Sequence, residues 1–161
     1  MKIRPITPAD AAAIASWRYP APYDVYDGDD EPDYLLDPAN GFVALDHDGE
    51  LAGFRSFGPD GRFPGGPYDD AAIHPGGLDG VLDTGGGLRP DLTGRGLGGA
   101  AIAAGLAYGE TVHSPRLWRI TVAAFNTRAL TVVGRLGFAA VAEFSSPRGA
   151  DFVILVRAAA G

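Results

Sequence analysis

The stretch Leu88-Arg89-Pro90-Asp91-Leu92-Thr93-Gly94-Arg95-Gly96-Leu97-Gly98 decides how this chain is read. An apolar run, Val81 to Leu88, precedes it and has the composition of a strand interrupted by Gly85-Gly86-Gly87. Glycine inside a strand marks a bulge or a backbone that something approaches closely. A helical pattern follows, from about Gly96 to Val112. Between the two lies a glycine-rich turn, which has three readings. Gly94-x-Gly96-x-x-Gly99 spells a dinucleotide fingerprint, but Pro90 to Thr93 separate it from the strand and Glu110 falls inside the helix. A Walker loop requires a lysine that is absent. In the third reading, backbone N–H groups of the turn and of the helix N-terminus surround a pyrophosphate, which a Cβ would obstruct, and Arg95 adds charge.

Composition narrows the ligand. The chain has 161 residues, 46% hydrophobic and 20% charged, as expected for one globular domain over 1–161. Its formal charge of -7 and single lysine, Lys2, argue against a nucleic-acid partner. Several of its arginines, Arg89, Arg95, Arg128 and Arg135, fall in the glycine-rich half, which suits a small anion bound locally. No cysteine is present, so no thiol can serve as nucleophile or metal ligand, and no metal site is expected. No apolar run is long enough for a membrane span and the N-terminus lacks a signal-peptide core, so a soluble cytoplasmic protein without a membrane partner is expected.

The remaining pattern is mixed. A strand at Lys2–Ile6 leads into a helix from Pro8 to about Arg18, capped by Thr7. An acidic, tyrosine-bearing loop follows, with Asp24, Asp27, Asp29, Asp30, Glu31, Asp33 and Asp37 among Tyr19, Tyr23, Tyr26 and Tyr34, and one short helix near Pro32–Leu36. The segments 41–45 and 51–57 form a hairpin around Asp48-Gly49, which makes His47 a solvated turn residue. A long loop runs from Gly58 to Gly80. After the glycine-rich helix come a strand at Arg116–Ala123, a helix at Asn126–Leu136 and a strand pair at Phe138–Phe144 and Asp151–Arg157. The expected fold is α/β (α+β): a mixed, mostly antiparallel twisted sheet of six to seven strands flanked by about four helices.

With these residues on the page, the chain resembles the GNAT superfamily of N-acetyltransferases. The family pattern strand-x-Pro-x-x-(Gln/Arg)-x-x-Gly-x-(Gly/Ala) is matched in spacing by Leu88, Pro90, Thr93, Gly94, Arg95, Gly96, Leu97 and Gly98, with Thr93 in place of the usual Gln/Arg. The resemblance continues through Ala123-Ala124-Phe125-Asn126 and Gly137-Phe138 and covers roughly 81–157. It implies acetyl-coenzyme A as co-substrate, bound by Leu88, Thr93, Gly94, Arg95, Gly96, Leu97, Gly98 and Asn126, and direct attack by a primary amine of a small molecule or protein N-terminus. A homodimer is implied by analogy only. Many relatives place a tyrosine seven residues after the asparagine to protonate the departing thiolate; here Val133 stands there. Water, Tyr23 or Tyr26 are the substitutes.

Asp83, on the strand facing the thioester in the resembled fold, is the expected base, with His74 as second candidate. Tyr23 and Tyr26 are expected to wall the acceptor site and attract a cationic amine. His113 suits a helix C-terminus and needs no further role. Asp83-Thr84-Gly85 also spells the aspartic-protease motif, which the helical patterns contradict. Two alternatives stay open: a catalytically silent coenzyme A-binding scaffold, and a dinucleotide-binding protein.

Overall fold

A computed structural model describes residues 1–28 and 31–160. The described residues form seven strands and four helices in the order β1 (Lys2–Arg4), α1 (Pro8–Ser16), α2 (Pro32–Leu36), β2 (Phe42–His47), β3 (Glu50–Phe57), β4 (Val81–Leu88), α3 (Gly98–His113), β5 (Leu117–Ala123), α4 (Thr127–Arg135), β6 (Ala139–Ser145) and β7 (Asp151–Ala158). They form one sheet of order β1-β2-β3-β4-β5-β7-β6. Every neighbouring pair is antiparallel except β4–β5, which is parallel and joined through α3. This is the mixed architecture expected, with β1 ending two residues early and short 3-10 turns at Tyr23–Tyr26, Pro59–Gly61, Ala71–Ile73 and Pro90–Leu92.

Local chemistry explains the element boundaries. Thr7 caps α1 in a full capping box: its side chain accepts from Asp10 N while the Asp10 carboxylate accepts from Thr7 N. The Arg4 guanidinium beside Asp10 holds that carboxyl below its ordinary value. This contribution is therefore complete above the unfolded pKa and is lost as pH falls through the lowered folded one. Asp48 and Gly49 both take positive φ, 55° and 85°, so the β2–β3 hairpin closes as a two-residue turn beside His47.

The sheet buries both faces. On one, α3 and α4 cover Phe57, Trp118, Ile120, Val122, Val153 and Leu155 with Leu106, Val133 and Phe138. On the other, α1 and α2 bring Ala11, Ile14 and Leu35 to Leu51 and Phe54. Phe63 from the loop at 58–80 stacks on Phe152, centroids 4.3 Å apart. Two glycines of α3 are contact points: a Cβ on Gly109 would sit 2.4 Å from the Trp118 ring and one on Gly105 3.0 Å from Arg55 Nε, whereas one on Gly134 of α4 would meet nothing within 4 Å.

Those two environments predict opposite signs. Gly109→Ala should destabilise the fold by about 1–3 kcal/mol through overpacking. Gly134→Ala should stabilise it by about 0.5–1 kcal/mol through restored helix propensity. Urea unfolding of both variants against the parent measures the difference.

Candidate active site

The parallel pairing of β4 and β5 runs from Val81–Leu117 to Thr84–Ile120 and stops, although both strands continue. Beyond that rung they separate into a fork. β4 remains paired with β3 through Leu88, and β5 with β7 through Ala123. Three glycines form the β4 side; Gly86, with φ of 152°, is exposed in the middle of a seven-stranded sheet. A Cβ there would strike Phe54 O at 2.2 Å, so the backbone lies where no other residue could put it.

Residue 88 leads into the 3-10 turn Pro90–Leu92, which sets the glycines apart from the strand, unlike a dinucleotide fingerprint. Gly94 and Gly96 take positive φ, 74° and 79°, and residues 93–96 are exposed. The Thr93 hydroxyl donates to Pro90 O and holds the turn closed. Leu97 caps α3 without a side-chain hydrogen bond, leaving the first helical N–H groups for an anion. Arg128, at the start of α4, points its Nη1 to within 2.6 Å of where a Gly94 Cβ would be, and its guanidinium lies 5.0 Å from the Tyr23 ring centroid. Two arginines, Arg95 and Arg128, thus stand by the glycine turn.

Asn126 is the N-cap of α4: Oδ1 accepts from Ala129 N, and Nδ2 donates to Tyr26 Oη at 3.1 Å. Tyr26 Oη also accepts from Ala123 N at 2.9 Å, and Tyr19 donates to Leu88 O at 2.6 Å. The segment 19–26 is therefore a strap across the fork, tied by one tyrosine to β4 and by another to β5. Tyr23 packs edge-on against Phe125, and Tyr26 against Phe63, which gives the strap side an aromatic wall. Asp24 lies on it and Asp27 just beyond it, with Oδ1 accepting from Tyr19 N at 2.8 Å; Asp29 and Asp30 fall outside the described residues.

Asp83 is placed differently from a free base. Its carboxylate is 2% exposed and accepts from Arg119 Nε at 2.6 Å, Arg119 Nη2 at 2.8 Å and Arg62 Nε at 2.7 Å. A bidentate pair with a further guanidinium leaves neither oxygen without a donor. Nor is His74 open: Arg119 Nη1 donates to its Nε2 at 2.8 Å, so the ring proton sits on Nδ1, which donates to Asp70 O. Arg119 also donates to Tyr68 O and lies 4.8 Å from that ring's centroid. This buried cluster pins the loop at 58–80 to the sheet. Arg55 is buried too, with Nη2 on Thr84 Oγ1 and no partner for Nε among the described residues. Burial lowers its pKa to about 10.

Val133 is fully buried in the core cluster, so no ionisable group reaches the fork from that position. Among the described residues, no group of three or more His, Asp or Glu is placed to hold a metal ion, and no helix is long and apolar enough to cross a membrane. Tyr19, Phe125, Phe63 and the Asp83–Arg119 pair are site components that the sequence reading did not single out. Opposite charges on Asp83 and Arg119, directly paired in β4–β5, were a findable signal once the register is assumed.

The model of the acetyltransferase (GNAT) family matches residues 9–138. The chain belongs to this family. Among solved structures, a spermidine N-acetyltransferase chimera from Vibrio cholerae and hSSAT aligns at TM-score 0.70 and 16% identity over 98% of this chain and 94% of that one. A putative acetyltransferase from Salmonella typhimurium with acetyl-CoA aligns at 0.66 and 16%, over 98% and 92%. The aminoglycoside acetyltransferase AAC(6')-Ib with coenzyme A aligns at 0.66 and 18%, over 98% and 94%. No curated protein sequence matches. The fold is thus that of GNAT acetyltransferases, and two of these neighbours are structures with acetyl-CoA or coenzyme A.

The Asp83 cluster yields a stability prediction. Asp83→Asn leaves Arg119 buried with a lost charge partner and should cost about 3–5 kcal/mol. Arg62→Met, at the partly exposed end of the same network, should cost under about 1 kcal/mol. Guanidinium denaturation distinguishes the two.

Proposed function

We propose that the protein transfers an acetyl group from acetyl-CoA to a primary amine by direct attack, without a covalent enzyme intermediate. The observation that carries this reading is the fork itself: the sheet forgoes β4–β5 hydrogen bonds beyond Thr84–Ile120 and leaves unpaired strand edges next to a glycine turn at a helix N-terminus. An extended, amide-bearing chain ending in a pyrophosphate is complementary to that surface. Residues 94–98 and Arg95 would hold the pyrophosphate, joined by Arg128; Leu88 and Asn126 border the arm. Acetyl-CoA supplies the activated acyl group.

The chain's own contribution is placement and electrostatics. Alternate residues of β4 direct N–H groups toward β3 and toward the fork. Arg89 N bonds Ala52 O in β3, so Gly86 and Leu88 direct theirs into the fork. A backbone N–H there polarises the thioester carbonyl. Asp83 and His74, both engaged by Arg119, serve in this reading to fix the loop and β4, and the amine gives up its proton to solvent.

In this reading the acceptor side is the aromatic wall of Tyr23, Phe125 and Phe63, on a segment that also carries Asp24 and Asp27, with Asp27 accepting from Tyr19 N and Arg128 already over the Tyr23 ring. That combination favours a cationic amine, small molecule or protein N-terminus, over an anionic acceptor. Two of the structural neighbours are named for spermidine and aminoglycosides, which are polyamines. A second reading, a coenzyme A-binding domain without turnover, draws support from Val133 at the usual acid position.

Incubation with acetyl-CoA and a panel of amines, with free thiol as the readout, tests the proposal. Thiol release that depends on the amine is expected. Coenzyme A binding by calorimetry with no release across the panel would establish the second reading. Within an active pair, Phe125→Ala should raise the amine KM about two- to fivefold and leave the acetyl-CoA KM unchanged.

A further inference from the structure

We propose that Tyr26 gives the departing thiolate its proton; this rests on the acetyl-transfer reading and names the acid it lacks. Ala124 N donates to Asp151 O in β7, so the preceding N–H of β5, that of Ala123, points the other way, into the fork. Tyr26 Oη lies 2.9 Å along it. The hydroxyl therefore occupies the gap between the separated strands, three residues beyond Ile120, the last β5 residue paired with β4. Continued across the gap, the same register sets it level with Gly86 and Gly87 of β4, where the sheet is open to solvent.

The second donor to Oη is Asn126 Nδ2, at 3.1 Å. Its orientation is settled by the helix cap, because Oδ1 is the atom that accepts from Ala129 N. Two N–H groups thus fill both lone pairs of Oη, and its own proton has no acceptor among the described residues. A phenol in this setting can only donate, and the phenolate left behind keeps both N–H donors. Burial pushes the Tyr26 phenol up from its ordinary value, which keeps it protonated near neutrality.

The other tyrosines near the fork lack this arrangement. Tyr19 has committed its proton to Leu88 O. Tyr68 shares a hydrogen bond with Thr121 Oγ1 behind the loop at 58–80. Tyr23 packs its ring between Phe125 and Arg128, and among the described residues no backbone N–H is held on its hydroxyl.

The step balances without a further reactant. The amine nitrogen forms a bond to the thioester carbonyl carbon, the C–S bond breaks with its electron pair on sulfur, and the Tyr26 proton moves to that sulfur. The phenolate is reprotonated from solvent, which receives the proton shed by the new amide nitrogen.

Tyr26→Phe keeps the ring against Phe63 and Phe125 and removes only the O–H. Its kcat should fall about 10- to 100-fold, the lower end of general-acid effects because a thiolate leaves readily, with the acetyl-CoA KM unchanged. Wild-type kcat should decline on the alkaline side as the phenol ionises, and the variant should lack that limb. Should Tyr26→Phe fold poorly, 3-fluorotyrosine at position 26 should move the limb to lower pH. An unchanged kcat with the limb intact, a limb indifferent to fluorination, or loss of kcat in step with acetyl-CoA affinity would each overturn the assignment and leave Tyr26 as a structural tie. A wild-type protein that turns over no amine removes the acetyl-transfer reading first, and this one with it.

Discussion

The separation of β4 from β5 after the Thr84–Ile120 rung organises the rest of the molecule. Unpaired backbone groups inside a sheet are costly unless something else meets them, so the fork exists only because other parts of the chain hold it open. Asp83 and Arg119, facing each other one rung before the split, lock the paired half with a buried bidentate ion pair. The glycines of β4 let the strand follow β3 while leaving no side chain in the gap. On the far side, the 19–26 strap meets Leu88 O and Ala123 N with two tyrosine hydroxyls. Paired half, glycine edge and strap together make a slot that is stable without being filled by a neighbouring strand.

The electrostatics of this slot are local. A chain with net charge -7 nevertheless sets Arg95 and Arg128 by the glycine turn and buries Arg55 against Thr84 at the fork's base, with no carboxylate partner among the described residues. The acidic excess lies elsewhere, including the segment that carries Asp24, Asp27, Asp33 and Asp37. The glycine turn thus carries Arg95 and Arg128 while the strap segment carries carboxylates, and Arg128 meets the Tyr23 ring between them; the proposed anionic donor and cationic acceptor would each find the opposite sign there.

How far the sequence carried this picture varied along the chain. The glycine turn and Asn126 were legible because their chemistry is written in local spacing: positive φ at Gly94 and Gly96 demands glycine, and an asparagine at a helix start caps it. The hairpin at Asp48-Gly49 and the capping box at Thr7 were legible for the same reason. Asp83 was located on the right strand, but the spacing said nothing of Arg119 and Arg62, whose distance along the chain hides the ion pairs that occupy its oxygens. Similarly, Tyr26 and Asn126 are one hundred residues apart and meet only when the strap crosses the sheet. Local turn chemistry is visible in one dimension; long-range neutralisation is not.

That contact also joins the two halves of the proposed chemistry. Asn126 caps α4 with one end of its amide and holds Tyr26 with the other, so the residue proposed to border the co-substrate arm orients a hydroxyl on the strap. Arg128, in the first turn of the same helix, lies beside both Gly94 and the Tyr23 ring. The N-terminus of α4 therefore touches the glycine turn and the strap at once. The strap is held at Tyr19 and Tyr26 by side-chain hydroxyls, so those two positions are fixed by the slot, whereas the slot itself is fixed by backbone and glycine.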